Sequence, residues 1–257
     1  MIICHCGGSR QIPRSGILNS MRVLAPTFVL LAALFSACGG ESLDDEAYRD
    51  AAAEAVRNAT LTLDDLPAGW TKSELGGQAL AELELTGDCA RLNGLGSGLP
   101  GQVATGDLDP LAGPLGQELV SSVSAFADPA AAEEAVRLAG DLVLQCTDQL
   151  EEALKQAIKQ AAADRNLDQL IGNIDALVGP GGFRSFGDET AAYRLQANFS
   201  ALFTDFEVNG HIIVIREGAL TGVLIYAVLG NLDLEGEEEV AAILAGKLAK
   251  AEESLAD

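Results

Sequence analysis

From Tyr193 to Phe199, apolar residues (Tyr193, Leu195, Ala197, Phe199) alternate with polar ones (Arg194, Gln196, Asn198). That period of two belongs to a strand buried on one face. Val208–Glu217 and Leu220–Leu229 are apolar on both faces, so they read as central strands, and Gly218-Ala219 is short enough to join them as an antiparallel hairpin. Val240, Ile243, Leu244, Leu248 and Leu255 fall on one side of a closing helix over residues 235–255. Upstream, residues 116–126 predict another strand. Asp128-Pro129 then opens a helix, with Asp as cap and Pro at the first helical position. Val136, Ala139, Val143, Cys146, Leu150, Leu154 and Ile158 continue at spacings of three and four, which predicts one long helix. Residues 166–178 read as a further short helix closed by Gly179-Pro180-Gly181-Gly182, and residues 94–114 as a Gly/Pro-rich loop. Near the front, residues 42–58 read as a stalk or first helix capped by Ser42, and Trp70 as a core residue. The expected fold class is α+β: a single domain with an antiparallel β-sheet and helices packed on it.

The front of the chain follows a different pattern. Met21-Arg22 precedes an apolar run from Val23 to Phe35, and Phe35-Ser36-Ala37-Cys38-Gly39 closes it with small residues. Charge, apolar stretch and small residues in that order mark a secretory signal. A Cys directly after Ser36-Ala37 resembles the lipobox of bacterial lipoproteins, which implies lipidation of Cys38 and cleavage before it. Residues 21–37 are then the lipoprotein signal peptide, 38–59 the lipid anchor and stalk, and 60–257 the extracytoplasmic domain. A retained membrane helix is the alternative. The run is short for one, and acidic residues follow it where a stop-transfer flank is basic. Residues 1–20 fit neither signal nor domain and are expected to come from a start assigned too early. Cys4, His5 and Cys6 lie there without the second pair of ligands a zinc site needs.

Charge narrows the function classes. The chain carries 16 Lys and Arg against 38 Asp and Glu, a formal net charge of −22. The segment before Cys38 holds three Arg (Arg10, Arg14, Arg22) and no acid, so its removal takes the charge to −25. Nucleic-acid binders need basic patches that displace counterions, so nucleic acid is excluded as a partner. A hydrophobic content of 48% is ample for a core. Beyond Cys38 two cysteines remain, Cys89 and Cys146. In an oxidising compartment they predict one disulfide, with two separate buried thiols as the alternative.

No reaction centre stands out, and the chain is not expected to be an enzyme. His211 is the one histidine after Cys38. It lies among Ile212, Ile213, Val214 and Ile215, with no Ser in an activating context, and reads as structural. Asn231, Asp233, Glu235 and Gly236 mimic the first half of a calcium loop, but Ala242 stands where the bidentate Glu belongs. Gly94-Leu95-Gly96-Ser97-Gly98 meets neither the dinucleotide nor the P-loop pattern, and Leu95 and Leu99 exclude a nucleophile elbow. Gly187-Asp188-Glu189 reads as a turn. No metal and no cofactor is expected.

Leu61–Trp70, with its acidic pair and Leu-Pro-x-Gly-Trp ending, together with the Asp-Pro helix running to Cys146 and the segment from Gly187 to Tyr226, resembles a group of actinobacterial-type cell-envelope lipoproteins. Extracellular sensor domains of mycobacterial serine/threonine kinases and PsbP-like α+β proteins share the look. That resemblance implies a sheet with helices around a cleft on the outer face of the cell membrane. Two functions remain open. One is an anchored protein that binds a small apolar or amphipathic molecule, or a cell-wall fragment. The other is an envelope interaction or assembly factor whose acidic surface meets a basic protein partner. A hydrolase is the less favoured third.

Overall fold

The structure is a computed structural model and describes residues 43–73, 85–92, 98–163, 170–201 and 204–256. Helix α1 (Leu43–Ala59) is followed by β1 (Thr71–Lys72), β2 (Gln102–Ala112) and β3 (Gln117–Phe126). Helices α2 (Pro129–Gln145) and α3 (Thr147–Ala163) come next, then β4 (Ile171–Pro180), β5 (Glu189–Ala201), β6 (Thr204–Glu217) and β7 (Leu220–Leu229). Helix α4 (Leu234–Ala256) ends the described chain. All seven strands join one antiparallel sheet in the order β1-β2-β3-β7-β6-β5-β4. The α+β expectation holds. Among the described residues, no helix is long and apolar enough to cross a membrane.

Both faces of β6 and β7 are apolar because helices cover both. On one face, Ile213, Ile215, Leu220, Leu224 and Tyr226 meet Val56 of α1 and Val240, Leu244 and Leu248 of α4. The small Gly222 lets α4 sit close, since a Cβ there would fall 2.7 Å from Leu244. Fully burying each Leu on this face contributes about 1.5–3 kcal/mol. On the opposite face, Val120, Tyr193, Leu195, Ile212 and Ile225 meet Val143 of α2, Leu150 of α3, and the bridged Cys89 and Cys146. The expected β6–β7 hairpin is present, with Gly218 in the left-handed region at its turn. Helix α1 packs into the core through Ala52, Ala55, Val56 and Ala59, so residues 43–59 are a structural helix of the domain. Trp70 is half-buried and edge-on to Tyr226, with ring centroids 6.2 Å apart.

Three expectations are corrected. The long helix is two helices, because α2 ends at Cys146, whose backbone (φ −100°, ψ 13°) leaves the helical region. The Thr147 hydroxyl donates to the carbonyls of Val143 and Leu144 across that break. Within the short helix expected over residues 166–178, Ile171 onward is strand β4, paired with β5, and residues 166–169 lie outside the described residues. Most of the expected loop over residues 94–114 is strand β2. Its turn-forming Asp109 and Pro110 fall where the register with β3 shifts, between Leu108 and Leu111.

Candidate apolar cleft

Asp128 starts α2 in the way its sequence predicts: its carboxylate accepts from the Ala131 backbone N–H at 2.8 Å, and Pro129 fills the first turn. Val136, Ala139 and Val143, spaced by three and four, then face the sheet. Beneath them Ile212 and Val214 of β6 and Thr221, Val223 and Ile225 of β7 form a floor. Leu85, Arg91, Leu92 and Leu99 form a third wall, and Leu150 of α3 closes one end. A gap remains because α2 offers Ala135 and Ala139 where larger side chains would reach the floor. This half-open slot measures about 730 Å³ counting its mouth. Among the described residues its lining is apolar apart from Thr221 and Arg91.

The third wall is fastened covalently. Cys89, in the short turn Gly87–Leu92, is bridged to Cys146 at the α2–α3 break, with the Cα atoms 5.8 Å apart. Both cysteines are buried beside Val143 and Leu150, so the bridge lies next to the slot. The disulfide expected from the two remaining cysteines is present.

The opposite face of the sheet holds a buried polar network. His211 (3% exposed) places Nδ1 at 3.0 and 2.9 Å from the two carboxylate oxygens of Glu237 (1% exposed), in the first turns of α4. The Phe183 ring packs 5.7 Å from the imidazole. Beside His211 in register stands Tyr226, whose hydroxyl donates to Asp233 Oδ2 at 3.1 Å. Gln117 Nε2 donates to the same oxygen at 3.2 Å, and the Gly236 N–H to Oδ1 at 3.2 Å. Burial pushes the Glu237 carboxyl up, partly offset by His211. Burial also pushes the Tyr226 hydroxyl up, and the neighbouring Asp233 charge adds to it. Asp233 is itself desolvated, yet the donors Gln117, Gly236 and Tyr226 outweigh that and hold it below the usual carboxylate range. The network bonds β3, β6 and β7 to the start of α4. Its role is to join α4 to the sheet.

The remaining sequence candidates fall into place around these two features. Asp233 and Gly236 of the calcium-like segment form a helix cap, and no group of three or more metal-ligating side chains occurs among the described residues. At Gly187-Asp188-Glu189, Asp188 accepts from the Gly218 N–H at 2.9 Å and from Arg216 at 3.1 Å, which pins the turn to the β6–β7 hairpin. Cys38, the triplet Cys4-His5-Cys6 and residues 94–97 lie outside the described residues. Sequence reasoning missed the slot, Arg91 and the Glu237 partner of His211. The alanines facing the sheet at positions 135 and 139 were the one available signal for the slot.

No protein-family model matches the sequence, and no curated protein matches it. Among solved structures, the extracellular domain of PknH from Mycobacterium tuberculosis is similar at 12% identity, covering 79% of this chain and 97% of that one, with a TM-score of 0.42. An uncharacterised protein from Mycobacterium smegmatis is similar at 10% identity, covering 80% and 96%, with a TM-score of 0.32. At this level of likeness neither transfers a detail of fold or function to this chain.

Proposed function

We propose that this chain is a lipid-anchored extracytoplasmic binding protein that holds a small apolar or amphipathic molecule in the slot between α2 and the sheet. The slot carries the reading. It is a half-open apolar space lined from α2, α3, β6, β7 and the third wall, with Thr221 and Arg91 as its polar groups among the described residues. Such walls suit hydrocarbon and leave the hydroxyls of a sugar-rich cell-wall fragment unpaired, so the apolar ligand is preferred. The disulfide supports export, because such bridges persist in oxidising compartments. Anchoring follows from the lipobox-like segment ending at Cys38. Two or more acyl chains there suffice for stable attachment.

Native mass spectrometry of the protein taken gently from its host's envelope tests the binding reading. A reproducible added mass released by organic solvent and absent after refolding is the expected result. A clean unliganded mass in repeated preparations counts against it. Labelled palmitate should be incorporated into the chain and lost in Cys38→Ala; labelling of that variant refutes the anchor. An interaction role has one observation in its favour. Exposed Leu115, Leu229 and Leu234 (75%, 51% and 44%) lie near one end of the sheet, where the Leu229 N–H meets the Gly116 carbonyl and Asp233 meets Gln117. Salt-sensitive crosslinking to a basic protein, reduced on changing these leucines, selects that role.

A further inference from the structure

We infer that the slot takes a single-chain amphiphile with an anionic head, carboxylate or phosphate, and that Arg91 holds the head; this rests on the reading of the slot as a ligand site. Among the described residues, Arg91 is the one charged side chain lining the space. It is exposed, so it marks the solvent side of the slot. No carboxylate pairs with it among the described residues; Arg49, Arg57, Arg184 and Arg194 likewise form no salt bridge, so its place at the slot is what marks it. In a chain with 38 acids against 16 bases, the bulk field repels free anions. Recognition of an anion must then come from a local contact, and the planar guanidinium fork matches both carboxylate and phosphate.

The rest of the slot defines what is attached to that head. Its floor runs along β7 from Thr221 to Ile225, about 13 Å at the usual rise of a strand. The walls along that length are Leu, Ile, Val and Ala side chains, which suit an alkyl chain. Arg91 follows Cys89 by two residues in the same short turn, so the bridge to Cys146 fixes the cation relative to the chain-binding walls.

The test uses the processed, anchored chain in phosphatidylcholine nanodiscs, with a photoreactive lauric acid as probe and empty nanodiscs as blank. Crosslinks are expected on peptides of α2 and β7. Lauric acid or lauryl phosphate should compete at least about tenfold better than lauryl alcohol or laurylamine, in keeping with a charge-assisted pair. The better of the two anions identifies the head. Arg91→Gln should bring the acid-to-alcohol ratio near one, and Arg91→Lys should restore most of it. Equal competition by alcohol and acid, with crosslinks still in the slot, overturns the anionic head and leaves the slot reading intact. An unchanged ratio in Arg91→Gln overturns the role of Arg91. Absence of crosslinks in the slot overturns both readings.

Discussion

Replacing His211 by Ala should unfold this domain more readily than any surface change. Glu237 is 1% exposed, and His211 Nδ1 lies within 3.0 Å of both its oxygens. Removing the imidazole leaves a carboxylate in a nearly dry site with its main partner gone. Breaking a buried pair from one side costs about 3–5 kcal/mol. Glu237→Gln is a milder change, since the amide oxygen still accepts from Nδ1–H; about 1 kcal/mol is expected. Replacing both residues by Leu should recover most of the loss, because the desolvation of two polar groups disappears with their attraction. The assay is urea unfolding at neutral pH followed by Trp70 fluorescence. Trp70 is the sole Trp and packs on Tyr226, the register neighbour of His211. Midpoint and slope together separate a stability change from a change in the unfolded state. A loss below about 1 kcal/mol in His211→Ala would refute the structural role of the pair. So would a double Leu variant no more stable than the single Ala variant.

The network also predicts a pH profile with two opposite limbs. The raised carboxyl of Glu237 means the folded state holds that proton more tightly. Its contribution is full below the ordinary value of 4.5 and is lost as pH rises through the folded value, so Glu237→Gln should flatten the decline on that side in pH-dependent melts. The lowered carboxyl of Asp233 works the other way: its contribution is full above 3.8 and is lost as pH falls through the folded value, so Asp233→Asn should remove part of the acid-side loss. Ala139→Leu should fill the slot, abolish probe binding and leave the thermal midpoint unchanged or raised; retained binding counts against the slot. Replacing Cys89 and Cys146 together by Ser, which frees a separation of 57 residues, should cost up to roughly 4 kcal/mol in urea unfolding and weaken probe binding through the loosened third wall. Asp128→Ala should cost about 1 kcal/mol, because the Ala131 N–H loses its cap.

The parts of the fold legible in the sequence are those where one period dominates. β5 alternates because a helix covers the face bearing Tyr193, Leu195 and Ala197, while Arg194 and Asn198 on the other face stay exposed. β6 and β7 are apolar throughout because helices cover both faces. β4 was illegible for the converse reason. It is an edge strand with few β-branched residues, and its pairing with β5, invisible locally, decides its state over the weak propensities of Gly172, Asn173 and Asp175. The break at Cys146 was hidden because the apolar stripe keeps its phase across it: Val143 and Leu150 cover the same part of the sheet from two helices. Of the candidate site, the disulfide could be read from a count of cysteines. The slot could not, since a void is written as the smallness of Ala135 and Ala139, and an alanine on a buried helix face is more often packing. Glu237 was hidden among the acids at the start of α4, which the helix dipole alone would explain.

The two faces of the sheet differ in one respect that bears on why the slot exists. Both have floors of Ile, Val and Leu, and both are roofed by helices. On the α1–α4 face, Leu244 and Leu248 reach the floor at Gly222. On the α2–α3 face the roof carries only alanine at 135 and 139. Apolar walls left uncovered in this half-open space forgo the roughly 25 cal/mol per Å² that burial would contribute, a cost to the unliganded fold. A single larger residue at position 139 would remove that cost without disturbing a strand or the disulfide. The same position lies on the wall opposite Val223 and Ile225, where any chain threaded along β7 must pass. Filling it trades binding for stability, while changes at Leu244 or His211 trade stability alone. The slot is thus energetically separable from the half of the domain that holds the fold together, which a ligand site needs and a packing defect does not.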